Sequence, residues 1–290
     1  MQQLINGLAL GSTFALLGVG VTLVWGVLHI LTFAHAQMMT AGAFATLWAV
    51  NRDYHVLVAI AVGVLFAAFL SGLMDVTLFT RLRVKNAPTF TFVIVTIGVA
   101  QIMEAVAAMR TNSQFLAFPR RDFPVQPLEI FGRNVPRLSI WMLVISVVVM
   151  IALGVWLQKT KSGTAVRAVA YSRETGELLG INSKLVFATC FVISGALAAL
   201  GGIFMAASSG QLSYSSNDAL LLMAFAVIVL GGMGSIRGAV VGGLLLGLVS
   251  VYATVYVSPI FREVVAMLTI LAVLVMRPSG LFGAKESARV

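Results

Sequence analysis

Charge is what this chain has least of. Of its 290 residues, 19 are Lys or Arg and 10 are Asp or Glu, so 10% are charged, against roughly 25% in an ordinary soluble domain. Apolar residues make up 60%, and the mean hydropathy is +1.01. Such a composition cannot cover a water-exposed surface, and it overrides the one or two globular domains that length alone suggests. Cysteine is almost absent. Cys190 stands alone inside an apolar stretch, which excludes an intramolecular disulfide and a cysteine-based zinc site and leaves a small packing residue. The three histidines, His29, His35 and His55, are not spaced as zinc ligands. No G-x-x-x-x-G-K-[ST] occurs, so the chain cannot hold ATP phosphates in the P-loop manner; the glycine-rich run 231–238 ends in Ile236-Arg237-Gly238. No nucleophile elbow supports a catalytic triad. Neither catalytic residues, metal nor cofactor are expected.

The net charge of +9 would raise nucleic acid as a partner in a soluble protein. Here the cations sit mostly in short loops between apolar runs, the pattern of membrane topology, and no stacked Arg/aromatic groove for a nucleic-acid strand is present. Lipid is the expected surrounding. The apolar runs are 4–25, roughly 34–50, 56–79, 88–109, 139–157, 185–207, 219–236, 238–257 and 260–276. In hydrocarbon each must satisfy its own backbone, so each is expected to be a helix. The fold class is therefore all-α, a polytopic transmembrane bundle of eight to nine spans, some discontinuous. Met1-Gln2-Gln3 lacks the positive region of a signal peptide, so the first run reads as a retained span. The second run is interrupted by Thr32, His35 and Gln37; the ninth has Arg262 and Glu263 near its start. Without Gly231, Gly232 and Gly234 the seventh has about 13 residues, or ~20 Å of helix, too short to cross. Those three glycines are read as structural.

Loops give orientation. Arg81, Arg83 and Lys85 share a side with Lys159, Lys161, Arg167, Arg173 and Lys184, and Arg277, Lys285 and Arg289 join them. This side is expected to be the cytoplasm. Arg110, Arg120, Arg121, Arg133 and Arg137 fall on the other side and are outnumbered. Pro119, Pro124, Pro127 and Pro136 in that segment suit an irregular outer cap. Gly7/Gly11, Gly238/Gly242 and Gly243/Gly247 repeat at four-residue spacing, which lets helix backbones approach closely. The likeness of Gly7-Leu-Ala-Leu-Gly11 to Gly243-Leu-Leu-Leu-Gly247 is either a repeat or chance.

Polar groups inside apolar runs are where function could sit, since they are costly and face a cavity or one another. Asp75 is read as the structural ion-pair or cap partner of nearby cations, with a substrate role as the alternative. Glu104, one turn after Gln101, is either structural or at the outer mouth of a pathway. Thr32, His35 and Gln37 form either a helix break or part of a pathway or gate. The loop 163–182 is the most specific feature. Thr164 can cap a helix, Val166, Val169 and Ala170 then share one face, and Leu178, Leu179 and Ile181 restore an apolar surface after Gly176. So short an amphipathic pair is too weak to stand alone in water; it packs on its own bundle, or docks to a partner groove or the lipid surface.

Four stretches in order resemble the permease subunit of ABC importers for branched-chain amino acids. They are Asn6–Leu16, Ile30-Leu31-Thr32-Phe33-Ala34-His35, the loop through Arg167-Ala168-Val169-Ala170 and Leu179-Gly180-Ile181-Asn182, and Leu230–Gly238. Thr32 and Ala36 depart from the family's Asn-Phe-Ala-His-Gly. The resemblance covers nearly the whole chain and implies one permease domain over 1–290 with a coupling loop at about 159–184. It implies two cytoplasmic ATPase subunits, a second homologous permease, a periplasmic substrate-binding protein, and a small-molecule substrate such as a branched-chain or other small polar or hydrophobic amino acid. The setting would be the bacterial inner membrane, with ATP hydrolysis left to the partners. Arg167, Glu174, Glu177, Leu179 and Gly180 are then expected to contact the ATPases, and Thr32, Phe33, His35, Gln37, Gln101 and Glu104 to line the pathway or gate. Two other readings compete: a self-sufficient proton-coupled secondary transporter using Glu104 or Asp75, and, behind it, an intramembrane enzyme.

Overall fold

The computed structural model describes residues 2–119, 123, 127–130, 133–215, 218–256 and 258–283, and for 127–130, 133–135, 218, 259, 262 and 263 the backbone alone. Arg120, Arg121, Pro124, Lys285 and Arg289 lie outside the described residues, as do the side chains of Pro127, Arg133, Arg262 and Glu263. Every apolar run becomes helical. The helices are α1 (Gln2–Leu28), α2 (His35–Val50), α3 (Val56–Met74), α4 (Thr80–Val84), α5 (Thr89–Thr111), α6 (Arg137–Lys159), α7 (Lys161–Tyr171), α8 (Arg173–Leu178), α9 (Ser183–Ser209), α10 (Asp218–Gly231), α11 (Ile236–Tyr256) and α12 (Arg262–Met276). A π-turn, Asp75–Phe79, joins α3 to α4 without a break.

Among the described residues six helical stretches are long and apolar enough to cross a membrane: α1, the continuous Val56–Val84, α5, α6, α9 and α11. The protein is a multi-pass, all-α membrane bundle. Three of the nine apolar runs form short helices. α2 has 16 residues, α12 has 15, and α10 has 14, or about 21 Å of helix.

α1 is the axis of the bundle. It is buried over most of its length and touches α6, α9, α10 and α11. Small residues make this possible. The two look-alike pentapeptides pack against each other, antiparallel: Gly7 faces Leu248, Gly11 faces Leu244, and Gly243 faces Ala15. A Cβ on Gly11 would lie 2.8 Å from the Leu244 Cα, and one on Gly247 would collide with the Gly11 Cα. Gly247→Val is therefore expected to prise α1 from α11 and to cost about 3 kcal/mol, the upper end for an overpacked core. Thermal unfolding in detergent reads this. Gly98→Ala, whose new Cβ meets nothing within 4 Å, is the matched control and should melt like the parent.

α1 ends beside α7, at the end of the bundle that carries Arg81, Arg83, Lys159, Lys161 and Arg167. The chain then turns back inward. His35, the first residue of α2, lies against Gly20, about 12 Å of helix rise from Leu28. Residues 29–34 thus run as non-helical backbone at membrane depth, with Ile30, Thr32 and Ala34 buried in protein, where such backbone is tolerated. α2, α3 and α9 pack together beyond it.

The segment between α5 and α6 is less irregular than its prolines suggest. β1 (Leu116–Ala117) pairs antiparallel with β4 (Gln211–Leu212), which follows α9, and β2 (Pro127–Ile130) pairs with β3 (Arg133–Pro136). Strand pairing satisfies backbone groups that loops would leave to water. After α12 the chain returns to α10: the Leu281 and Phe282 amides donate to the Leu230 and Gly231 carbonyls, both at 2.9 Å. They satisfy two of the orphan carbonyls at that helix end. Gly232 makes the turn at φ +98° and abuts Gly283, a conformation and a contact that exclude a side chain.

Candidate translocation and coupling sites

The first candidate site is built on the inward turn before α2. Gln37 and Met38 donate their amides to the Ala34 carbonyl at 3.1 and 3.2 Å, which starts α2 in mid-bundle rather than at a surface. His35 is buried; its Nδ1 lies 3.3 Å from the Ser194 hydroxyl of α9, while its Nε2 makes no hydrogen bond of ordinary geometry among the described residues. Thr32 and Gln37 are buried beside it in the chain, and the half-buried Phe33 meets the Phe225 ring of α10 edge-on at 5.6 Å. Four expected residues therefore sit on one short turn that touches α1, α9 and α10. Ser194, Gly20 and Phe225 were not legible as its neighbours, because only long-range packing brings them there.

Gln101 and Glu104 are placed differently. They lie on α5, the least buried of the long helices, which touches α2 only lightly. Gln101 is exposed and Glu104 half-buried, and among the described residues neither is hydrogen-bonded or ion-paired with the His35 turn. A carboxylate inside an apolar helix ordinarily finds a partner or a water-filled cavity. Among the described residues Glu104 has no hydrogen-bond or ion-pair partner.

Asp75 has the expected ion-pair partner, and it is Arg83. Arg83 Nη2 donates to Asp75 Oδ1 at 2.6 Å and to Thr80 Oγ1 at 3.0 Å, with both charged side chains buried. Two α-turns take about 7.2 residues; the wider π-turn stretches this to eight and brings Arg83 over Asp75. The Arg83 guanidinium also lies over the Phe187 ring of α9, 4.4 Å from its centroid. Phe79, in the same π-turn, stacks on Phe191 at 5.0 Å and Phe92 at 5.8 Å.

The loop between α6 and α9 forms two short helices. Thr160, rather than Thr164, caps α7 by accepting the Gly163 amide at 3.0 Å. Thr164 instead accepts from Arg167 at 3.3 Å and donates to the Thr160 carbonyl. The cap moves because Gly163 packs directly on the Trp156 and Leu157 backbone, so the chain turns one residue after α6 ends. Val166 and Val169 are buried and Ala170 half-buried, as their spacing implies. Ser172 caps α8 by accepting the Thr175 amide, and Gly176 packs on Val169. The outward face carries Tyr171 (87% exposed), Leu178 (88%) and Leu179 (73%), with Glu174 exposed beside them. Gly180 turns the chain at φ +79° with nothing within 4 Å of a would-be Cβ. Arg173 pairs with Glu177 at 2.9 Å, and that hydrogen bond holds the Glu177 carboxyl below the usual carboxylate range. Arg173 also lies 5.8 Å from the Phe187 ring that Arg83 covers. The surface loop and the buried π-turn thus share one aromatic ring.

A bundle of apolar helices with polar, non-helical backbone at its centre and an apolar knob outside it has the architecture of a membrane permease subunit. Residues 3–274 match the family of permease components of branched-chain amino acid transport systems, and the chain belongs to that family. It is 28% identical over 301 residues to the high-affinity branched-chain amino acid transport system permease protein LivH of Escherichia coli, covering 100% of this chain and 97% of that one. It is 29% identical over 302 residues to the corresponding permease BraD of Pseudomonas aeruginosa, covering 100% and 98%. A more distant likeness, 28% over 191 residues, joins 62% of this chain to 51% of the fructose import permease FrcC of Rhizobium meliloti. Nothing in these matches supports a self-sufficient secondary transporter.

Proposed function

We propose that this chain is the membrane subunit of a bacterial inner-membrane ABC importer for branched-chain amino acids or similar small solutes. The chain acts as one permease domain. It pairs with a second homologous permease to enclose the pathway, receives substrate from a periplasmic binding protein, and is driven by two ATPase subunits at its basic, cytoplasmic end. The observation that carries this is the cluster Tyr171, Leu178 and Leu179: three large apolar side chains held outside the bundle, beside the basic loops. Such a patch marks a protein surface awaiting a partner. The bare α5 face supports the second permease, since Glu104 then gains a polar neighbour or a water-lined pathway. Arg167, Glu174, Glu177, Leu179 and Gly180 contact the ATPases, and the His35 turn lines the path with Gln101 and Glu104. ATP drives transport only by binding one of two bundle states better than the other.

The test is recovery of the tagged chain from mild detergent. Two ATPase polypeptides and a second permease should accompany it, and reconstituted vesicles should take up labelled leucine only with ATP inside the ATPase-facing compartment and binding protein outside. Uptake by the chain alone would overturn the proposal.

A further inference from the structure

Between α1, α6, α7 and α11, at the basic end, lies an open groove of about 640 Å³. It runs along α6 from Gln158 to Val147, about 16 Å of helix rise, which is the depth of one leaflet of a ~30 Å hydrocarbon core. Its walls are apolar. Its rim carries Arg167 and Arg237, and among the described residues no carboxylate lines it. Arg237 has no hydrogen-bond or ion-pair partner among the described residues, and Arg167 has only the neutral Thr164 hydroxyl.

Two glycines strengthen the case. Helical glycine is unfavourable and is normally kept for close packing, as at Gly11 and Gly247. Gly26 and Gly154 line this groove, yet a Cβ at either would meet nothing within 4 Å. Their smallness serves no contact with the described residues. It leaves room for something apolar that the chain does not supply, ending in something negative at the rim.

We infer that this groove holds an anionic phospholipid of the basic-end leaflet, with one acyl chain against Gly26 and Gly154 and its phosphate between Arg167 and Arg237. The site needs only that the bundle is embedded with its basic end at an anionic leaflet; it shares Arg167 with the proposed ATPase contact, and its test reads lipid binding on the chain alone rather than transport. Each arginine near such a leaflet is worth about fivefold in binding.

The test is native mass spectrometry of the detergent-solubilised full chain, titrated with dioleoylphosphatidylglycerol and, separately, dioleoylphosphatidylcholine. One phosphatidylglycerol should bind about 25-fold more tightly than phosphatidylcholine, from two such arginines. Arg237→Gln should lower that preference about fivefold. Gly154→Leu, which fills the groove, should abolish tight binding of both lipids while the chain keeps its elution volume, and Gly26→Val from the facing wall should do the same. Millimolar glycerol phosphate should displace neither lipid. Equal binding of the two lipids, or unchanged binding in both glycine variants, would overturn the inference. Full displacement by glycerol phosphate would overturn it in favour of a free-anion site. Loss of an accompanying protein subunit with lipid binding intact would overturn it in favour of a protein interface.

Discussion

Leu178→Asp together with Leu179→Asp is expected to abolish ATP-driven uptake while the chain inserts and melts like the parent. Both side chains stand free of the bundle, so removing them costs the fold almost nothing. If they are buried on docking, each contributes about 2 kcal/mol, and the aspartates add the penalty of burying unpaired charge. Recovery of the ATPase subunits should fall at least about a hundredfold. The measurement is co-purification followed by vesicle uptake. Normal ATPase recovery in the double variant would remove the docking role from α8. Gly180→Asn separates contact from backbone: asparagine tolerates positive φ, so this variant should keep most of the coupling, whereas Gly180→Arg, strained and bulky, should not.

Loss of one member of the Asp75–Arg83 pair is expected to be nearly as damaging, for a different reason. Asp75→Leu strands a buried guanidinium, and Arg83→Met strands a buried carboxylate. Each should destabilise the bundle by about 3–5 kcal/mol, because the remaining charge is left uncompensated. The double variant, apolar at both positions, should recover most of that loss. Thermal unfolding of the four proteins makes a complete cycle. Equal or greater damage in the double variant would show that the two residues do not act as a pair. Uptake adds a second readout. Arg83 and Arg173 share the Phe187 ring, which joins the docking loop to the π-turn. A double variant that is stable yet transports poorly would place that ring contact in the path of coupling.

The helical class and the basic end were legible because hydropathy and charge are local properties of the sequence. So was the buried face of α7, whose Val166 and Val169 follow helical periodicity. The glycine spacing implied close packing but not its partner: Gly7/Gly11 and Gly243/Gly247 turn out to be each other's surface. Arg83 rather than Arg81 faces Asp75 because a π-turn inserts part of a residue into each coil, and no propensity announces that. The shift of the α7 cap from Thr164 to Thr160 likewise depends on Gly163 meeting the Trp156 backbone. At the His35 turn the polar interruption was visible, whereas its enclosure by Ser194, Gly20 and Phe225 required helices distant in sequence.

The burial of α1 constrains how the chain is made. A helix surrounded by α9, α10 and α11 is synthesised about 150 residues before the first of them, a delay on the order of ten seconds at ribosomal rates. During that interval its glycine-lined faces stand in lipid. The bundle must therefore close around a helix already inserted, so that maturation is lateral assembly of inserted helices. Damage at Gly243 or Gly247 would then register as a biogenesis defect, with α1 left exposed to quality-control proteases.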